Sequence, residues 1–289
     1  MSPTRRPTPP ARRPMPSARG AMARTTRPPT GNRSGPKRRP AAPTIPALKA
    51  VTTVAAYAFR ACLPPRRRLG LLLPALGAVL FGVLAHAVVS DSPERAFATV
   101  ASAGLFSIVL PIGCLVIGDA VLGAEARAGT LHFTWLSPIP RWTIAVGRWL
   151  TGALVAAVVL SLACGLAAVV AGVPENAAAM VVSVAAASAA YVAVFVMLAA
   201  ATRRAVVWSL AFVVLIERLL GAALDGIAQL SPGWLARAAY GGLTGASELS
   251  RKGVPSGGAA LWRLVVVTAV ALAVASWRLA DMRASARSD

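Results

Sequence analysis

The chain has 289 residues and a formal net charge of +20, with 14% charged residues against 56% apolar ones. Soluble domains carry about 25% charged residues, so the composition excludes a soluble enzyme or soluble binding module. The apolar residues also come in runs of about 20, the length that crosses the hydrocarbon core of a bilayer as a helix.

The charge is unevenly placed. Of the 30 Lys and Arg, 16 precede residue 69, ahead of the first acid, Asp91. Residues 1–43 are rich in Pro, Arg, Ser and Thr and carry no hydrophobic periodicity. They bury too little surface to fold and are expected to be a disordered basic tail. No aromatic residue precedes Tyr57, and a membrane body follows. Attraction to anionic lipid therefore explains the tail better than nucleic acid does.

Residues 44–68 read as an interfacial amphipathic helix and a linker. Lys49, Thr53 and Arg60 share one narrow helical face, and Ile45, Leu48, Val51, Val54, Phe59 and Cys62 cover the rest. Such a helix lies in the membrane interface with its charges toward water. Pro64 and Pro65 end it, and Arg66, Arg67 and Arg68 precede the first span.

The predicted fold is an all-α integral membrane domain, residues 69–282, with six transmembrane helices. The spans fall at about 69–90, 97–122, 143–171, 177–201, 205–224 and 259–280, and residues 283–289 form a tail. Ala85-His86-Ala87 resembles a signal-cleavage site, but the basic lead is longer than a signal's and further spans follow.

Orientation follows from the basic residues. The turns at 91–96 and 172–176 hold Asp91, Glu94 and Glu175 against a single Arg95, which places them outside. Arg127, Arg141, Arg203, Arg204, Arg278, Arg283 and Arg287 place the other loops and both termini in the cytoplasm of a cell membrane. Arg251 and Lys252 break the rule, in a long outer segment, 225–258. That segment is expected to fold back partway as short helices, with its Trp and Tyr240 in the interfacial aromatic belt.

No catalytic residues are found. There is no phosphate-binding glycine loop with its lysine and no H-E-x-x-H. His86 and His132 are predicted on opposite sides of the membrane, so no metal site is expected. Cys62, Cys114 and Cys164 have neither metal nor disulfide spacing and read as small apolar residues.

Charges within spans are costly and mark structure or function. Asp119, near the inner end of the second span, and Arg148, near the inner start of the third, either pair across that hairpin or reach the inner interface separately. Glu217 and Arg218 lie well inside the fifth span. Adjacent residues on a helix do not face each other. Each needs a partner from another helix, from Asp225 or from water, with Arg263 a candidate for Glu217. They form either the polar lining of a substrate path or a structural pair that orients the outer segment. Small residues in the third and fourth spans, among them Gly165, Ser183, Ala186, Ala187 and Ala190, permit close helix approach.

The loop between the second and third spans is patterned. It holds Glu125, Arg127, Gly129-Thr130-Leu131, Leu136, Pro138 and Arg141, with Gly147-Arg148 opening the next span. In these roughly 30 residues, and in its six-span plan, the sequence resembles the membrane (permease) subunits of type-2 ABC exporters. It departs from them in having Glu125 alone where several acids are usual, and in its basic tail. The resemblance implies that two such subunits pair, as a homodimer or heterodimer, and that each binds a separate ABC ATPase subunit on its inner face. Glu125, Arg127, Gly129, Thr130, Leu131, Pro138 and Arg141 would then form the coupling element. No cofactor would sit on this chain, since ATP and Mg belong to the partner ATPase. The few polar landmarks in the spans suit an amphipathic or lipid-like cargo. A membrane scaffold or regulatory protein is the alternative from another class. A secondary transporter would show internal repeats and broken midplane helices, and no repeat relates 69–171 to 177–280. A membrane-embedded enzyme lacks the His, Asp or Glu cluster it would need.

Overall fold

The computed structural model describes residues 51–56, 65–88, 92–123, 141–202, 204–249, 251 and 253–285. All lie in one compact unit, Thr44–Asp289. The described residues are helical or in turns, with no strand.

The first long helix, α1, is Pro65–Ala87, so Arg66–Arg68 are part of it rather than of a linker. Proline is tolerated in the first helical turn because its missing N–H would have had no partner there. The stretch predicted as the second crossing starts at α2 (Pro93–Val100), continues through a π-helical stretch, Ala101–Val109, into α3 (Leu110–Gly118), and ends in a π-helical turn, Asp119–Gly123; the crossings that follow keep the numbers of their predicted spans. The third and fourth crossings are α4 (Arg141–Val170) and α5 (Ala177–Ala201). The fifth is α6 (Ala205–Ala211), a second long π-helical stretch, Phe212–Leu220, and α7 (Gly221–Ala223). Two further helices follow, α8 (Asp225–Ala228) and α9 (Pro232–Thr244), and then α10 (Gly258–Ser285).

Five helical stretches are long and apolar enough to cross a membrane: Pro93–Val121, Trp142–Val170, Pro174–Ala201, Ala205–Ala223 and Gly258–Ala280. The corresponding stretch in α1, Leu72–Ala87, is shorter. This is a multi-pass arrangement. Of the predicted interfacial helix, only residues 51–56 are described, and they are helical. The Ala55 carbonyl accepts a bond from Thr151 Oγ1 at 2.9 Å, so this segment rests on the start of α4. The basic tail, 1–43, lies outside the described residues.

α5 is the central post. Met180, Val184, Ala187, Tyr191, Val192 and Val196 along it are buried, packed by α4, α9, α3 and α10. The small residues permit this. Gly152 faces Val192, Gly165 faces Val181, and Trp149 donates to the Ala189 carbonyl at 2.9 Å across the same seam. Between apolar helices in lipid there is no hydrophobic drive, so such close packing and interhelical bonds carry the association. On the opposite face of α4, Leu150, Leu154, Val158, Leu162 and Leu166 recur every fourth residue and are exposed, as a lipid-facing stripe requires.

α4 ends at Gly172, whose φ of +86° takes the left-handed conformation. Gly172 N–H donates to the Val169 carbonyl and Val173 N–H to the Ala168 carbonyl, the paired bonds that close a helix C-terminus. The resulting tight turn sends α5 back along α4.

The turns at Ser92, at Pro174–Asn176 and at Gly245–Leu249 meet at one end of the bundle. There Arg95 pairs with Glu248 at 3.0 Å, and Glu94, Asn176, Tyr240 and Thr244 line a cleft of about 180 Å³. The sequence placed these three turns on the same side of the membrane.

α1 and α4 touch backbone to backbone at one point. A Cβ at Gly82 would sit 2.6 Å from the Ala167 carbonyl oxygen. Gly82→Ala is expected to lower stability by about 1–3 kcal/mol through overpacking. Gly77→Ala, whose nearest neighbour would be Val109 Cγ2 at 3.7 Å, should be neutral. Thermal unfolding of both variants in detergent checks the contrast.

Candidate functional site

The segment after the fifth crossing decides where the buried charges sit. Its second helix, α9, opens with Ser231-Pro232, a capping hydroxyl followed by proline at the first helical position. Ser231 Oγ accepts from the Trp234 N–H at 3.4 Å and starts α9. Gly245, at φ +75°, ends it. α9 begins beside Glu217, deep in the bundle, and rises about 20 Å at the helical repeat to the end where Tyr240 and Thr244 meet Asn176. The chain thus breaks at 224–231 and returns into the bundle before reaching that end.

The aromatic residues of α9 pack against its neighbours. Tyr240, expected in the interfacial belt, is 1% exposed and packs on Phe97 and Phe106 at ring distances of 6.3 and 5.9 Å. Trp234 donates its indole N–H to the Glu217 carbonyl at 3.2 Å. Both rings are therefore held by packing and hydrogen bonds as well as by position along the helix.

Glu217 is buried and fully engaged. Tyr191 Oη donates to its Oε2 at 2.5 Å, Ser231 Oγ donates to its Oε1 at 2.5 Å, and the Gly233 N–H donates to the same oxygen at 2.8 Å. Gly233 is required here, since a Cβ would meet Tyr191 Oη at 2.7 Å. One carboxylate thereby ties the fifth crossing to α5 and to the start of α9. Buried carboxylates that keep their hydrogen bonds are tolerated, while unpaired ones are not.

Arg218 turns the other way, toward the second crossing. Pro111 has no N–H to offer the Ser107 carbonyl four residues back, and Arg218 Nη2 donates to that carbonyl. Arg237 Nη2, from α9, donates to the Ser107 hydroxyl, which itself donates to the Ser102 carbonyl at 2.5 Å. Ser107 lies in one long π-helical stretch, and Glu217 and Arg218 lie in the other. Such stretches recur at functional sites. Beside them is a cavity of about 80 Å³ lined by Phe106, Glu217, Arg218, Trp234 and Arg237 among others.

Among the described residues, further charged groups in and beside the outer segment are also engaged. Arg251 binds Asp225 at 2.8 Å and donates to the Gly221 and Ala222 carbonyls at 2.6 and 2.9 Å. It thus neutralises the carbonyl end of the fifth crossing, which accounts for a basic residue on the acidic side. Arg263, a sequence candidate for Glu217, donates instead to Gln229 Oε1 at 2.5 Å, and Gln229 Nε2 donates to the Gly253 carbonyl at 2.7 Å.

At the other end of the bundle, Arg148 crosses the hairpin between the second and third crossings and donates to the Val121 carbonyl at 2.6 Å. Asp119 lines a recess there with Leu115, Phe195, Ala205 and Ser209. Arg141 is the first residue of α4. Glu125, Arg127, Gly129, Thr130, Leu131 and Pro138 lie outside the described residues, as does His132. Among the described residues no cluster of His, Cys, Asp and Glu is arranged to hold a metal. Cys114 and Cys164 are buried free thiols.

Sequence reasoning found Glu217 and Arg218 and missed Tyr191, Ser107, Ser231 and Arg237. Two signals were available: Pro111 inside a span, which orphans a carbonyl, and Ser231-Pro232, which announces a helix start in the outer segment. Compared with known proteins, the chain matches no family model and no curated protein.

Proposed function

We propose that the chain is the permease subunit of an ATP-driven exporter, with α1 as the first of six crossings and with both termini in the cytoplasm. The observation that carries this reading is the clamp at the base of the patterned hairpin. The buried Arg148–Val121 bond fastens the third crossing to the second. Segment 51–56 leans on the same place so closely that a Cβ at Gly147 would stand only 3.0 Å from Val54 Cβ and from the Val51 carbonyl oxygen, inside ordinary van der Waals contact. A push on loop 123–141 therefore moves both crossings together. The loop's Glu125, Gly129-Thr130-Leu131 and Pro138 supply the pattern that an ATPase groove would grip.

A secondary transporter is the second reading. The return of α9 into the bundle, starting beside Glu217 after the break at 224–231, favours it, since such transporters bind substrate where helices are interrupted within the bundle. An ATPase partner separates the two.

The test is cross-linking. Thr130→Cys, placed in a chain with Cys62, Cys114 and Cys164 replaced by Ala, should form a covalent adduct with an ABC ATPase encoded by a neighbouring reading frame and co-expressed with it. The adduct should be absent when the cysteine is placed at Glu175 instead. Failure to recover any nucleotide-hydrolysing chain with the purified protein would overturn the exporter reading.

A further inference from the structure

The cavity beside Glu217 has an excess of positive charge. It holds two guanidinium groups, Arg218 and Arg237, and one carboxylate. The carboxylate is occupied by Tyr191, Ser231 and the Gly233 N–H. Neither arginine bond goes to it, because both end on neutral oxygens of Ser107. The Arg237 Nε is buried and has no hydrogen-bond partner. The Arg237 guanidinium carbon also lies 4.7 Å from the centre of the Trp234 ring.

A net cation within an apolar crossing is costly unless something of opposite charge joins it. Buried donors left unmade carry a further penalty. The cavity is also reachable from the side. Arg218 and Ala222 on its rim are exposed, and Val214, Leu215 and Leu219 on the same stretch present an exposed apolar surface. A ligand that fits both parts has an anionic head and an apolar chain. A free anion satisfies only the first, and a neutral lipid only the second.

We propose that this cavity binds the head group of an anionic amphiphile, a phosphate- or carboxylate-bearing lipid. The ligand enters sideways past Arg218 and Ala222 with its chain against Leu215 and Leu219. Arg237 Nε and Arg218 meet the head-group oxygens, and Trp234 forms the wall. The inference deepens the exporter reading by naming a cargo class, but the binding site is tested without any ATPase.

Trp234 is the reporter. The full chain, purified in neutral detergent, is titrated with phosphatidylglycerol brominated near the head of its acyl chains, and separately with the matching brominated phosphatidylcholine. Bromine quenches indole only at close range, and the difference from a Trp234→Phe chain isolates the signal of this one tryptophan from the others. Phosphatidylglycerol should quench Trp234 at concentrations at least about tenfold lower than phosphatidylcholine, a difference of about 1.4 kcal/mol. Arg237→Gln should remove that preference, and Arg237→Lys should keep part of it. Should Arg237→Gln not fold, Arg218→Gln at the exposed rim serves the same purpose, and the comparison of the two lipids on the unaltered chain decides alone. Equal quenching by both lipids would overturn the proposal. So would a phosphatidylglycerol preference unchanged in both arginine variants. Displacement by inorganic phosphate, with no gain from the chain-bearing phosphate, would assign the site to a free anion and overturn the amphiphile. Loss of lipid binding would leave the cross-link at Thr130 untouched, and loss of that cross-link would leave lipid binding untouched.

Discussion

Glu217→Leu is expected to destabilise the folded protein by roughly 2–5 kcal/mol. The estimate counts bonds. An interhelical hydrogen bond in a membrane protein averages about 0.6 kcal/mol and reaches about 1.7. Glu217 accepts three, from Tyr191, Ser231 and the Gly233 N–H. Leucine fills similar space and accepts none, so all three donors remain buried without acceptors. The start of α9 should loosen first, because Ser231 and Gly233 are its N-cap and second residue. Glu217→Gln keeps one acceptor oxygen for Ser231 and Gly233, and its amide can donate to Tyr191 Oη. It should cost about 1 kcal/mol. Unfolding midpoints in detergent, with protease sensitivity at 224–231 as the local readout, check both. Equal losses from the leucine and glutamine variants would show that the negative charge, rather than the set of hydrogen bonds, holds the three elements together.

The second large effect is functional. If the chain is the exporter permease proposed above, replacing Glu125 by Ala, or Gly129-Thr130 by Ala-Ala, reduces ATP-driven transport at least about tenfold while membrane insertion stays intact. ATP hydrolysis by the partner should continue, since the fault lies in transmission. The physical basis is stiffness. Force entering a hinge that flexes is lost, and the base of this hairpin is braced by Arg148 on Val121. Coupling between two sites amounts to a free energy of about 1–3 kcal/mol, so the loss of one gripping contact is enough to abolish most of it. Transport and hydrolysis measured together in proteoliposomes give the ratio directly. Undiminished transport with the loop scrambled would defeat the coupling role.

The crossings were legible because nothing competes with an apolar run of this length. The fourth was predicted at 177–201 and is Ala177–Ala201. The fifth was predicted to end at 224 and ends at Ala223. The second begins at Pro93 rather than 97, because Ser92-Pro93 starts a helix whose first turn is polar and therefore outside any hydropathy window. The helix α1, where the first crossing was predicted, begins at Pro65 rather than 69 for the same reason, its opening arginines hiding a helical start that hydropathy does not register.

The site was legible only in part. That Glu217 and Arg218 needed partners follows from their cost in a crossing. Which partners they found depends on elements far apart in the chain. Tyr191 approaches Glu217 because Gly152 and Gly165 let α4 draw α5 into the centre. Ser107 approaches Arg218 because Pro111 leaves its carbonyl without the usual donor.

Sequence alone determined that this is a multi-crossing helical membrane protein, where its apolar stretches lie, and which charges within them are exceptional. Each of those follows from residues that are neighbours along one helix. Only the tertiary structure decided that the outer segment returns into the bundle, that Glu217 joins three elements while both nearby arginines turn to Ser107, and that a cationic cavity is left between them. Those outcomes depend on which buried donors and acceptors meet once the helices pack, and linear spacing carries no record of that meeting.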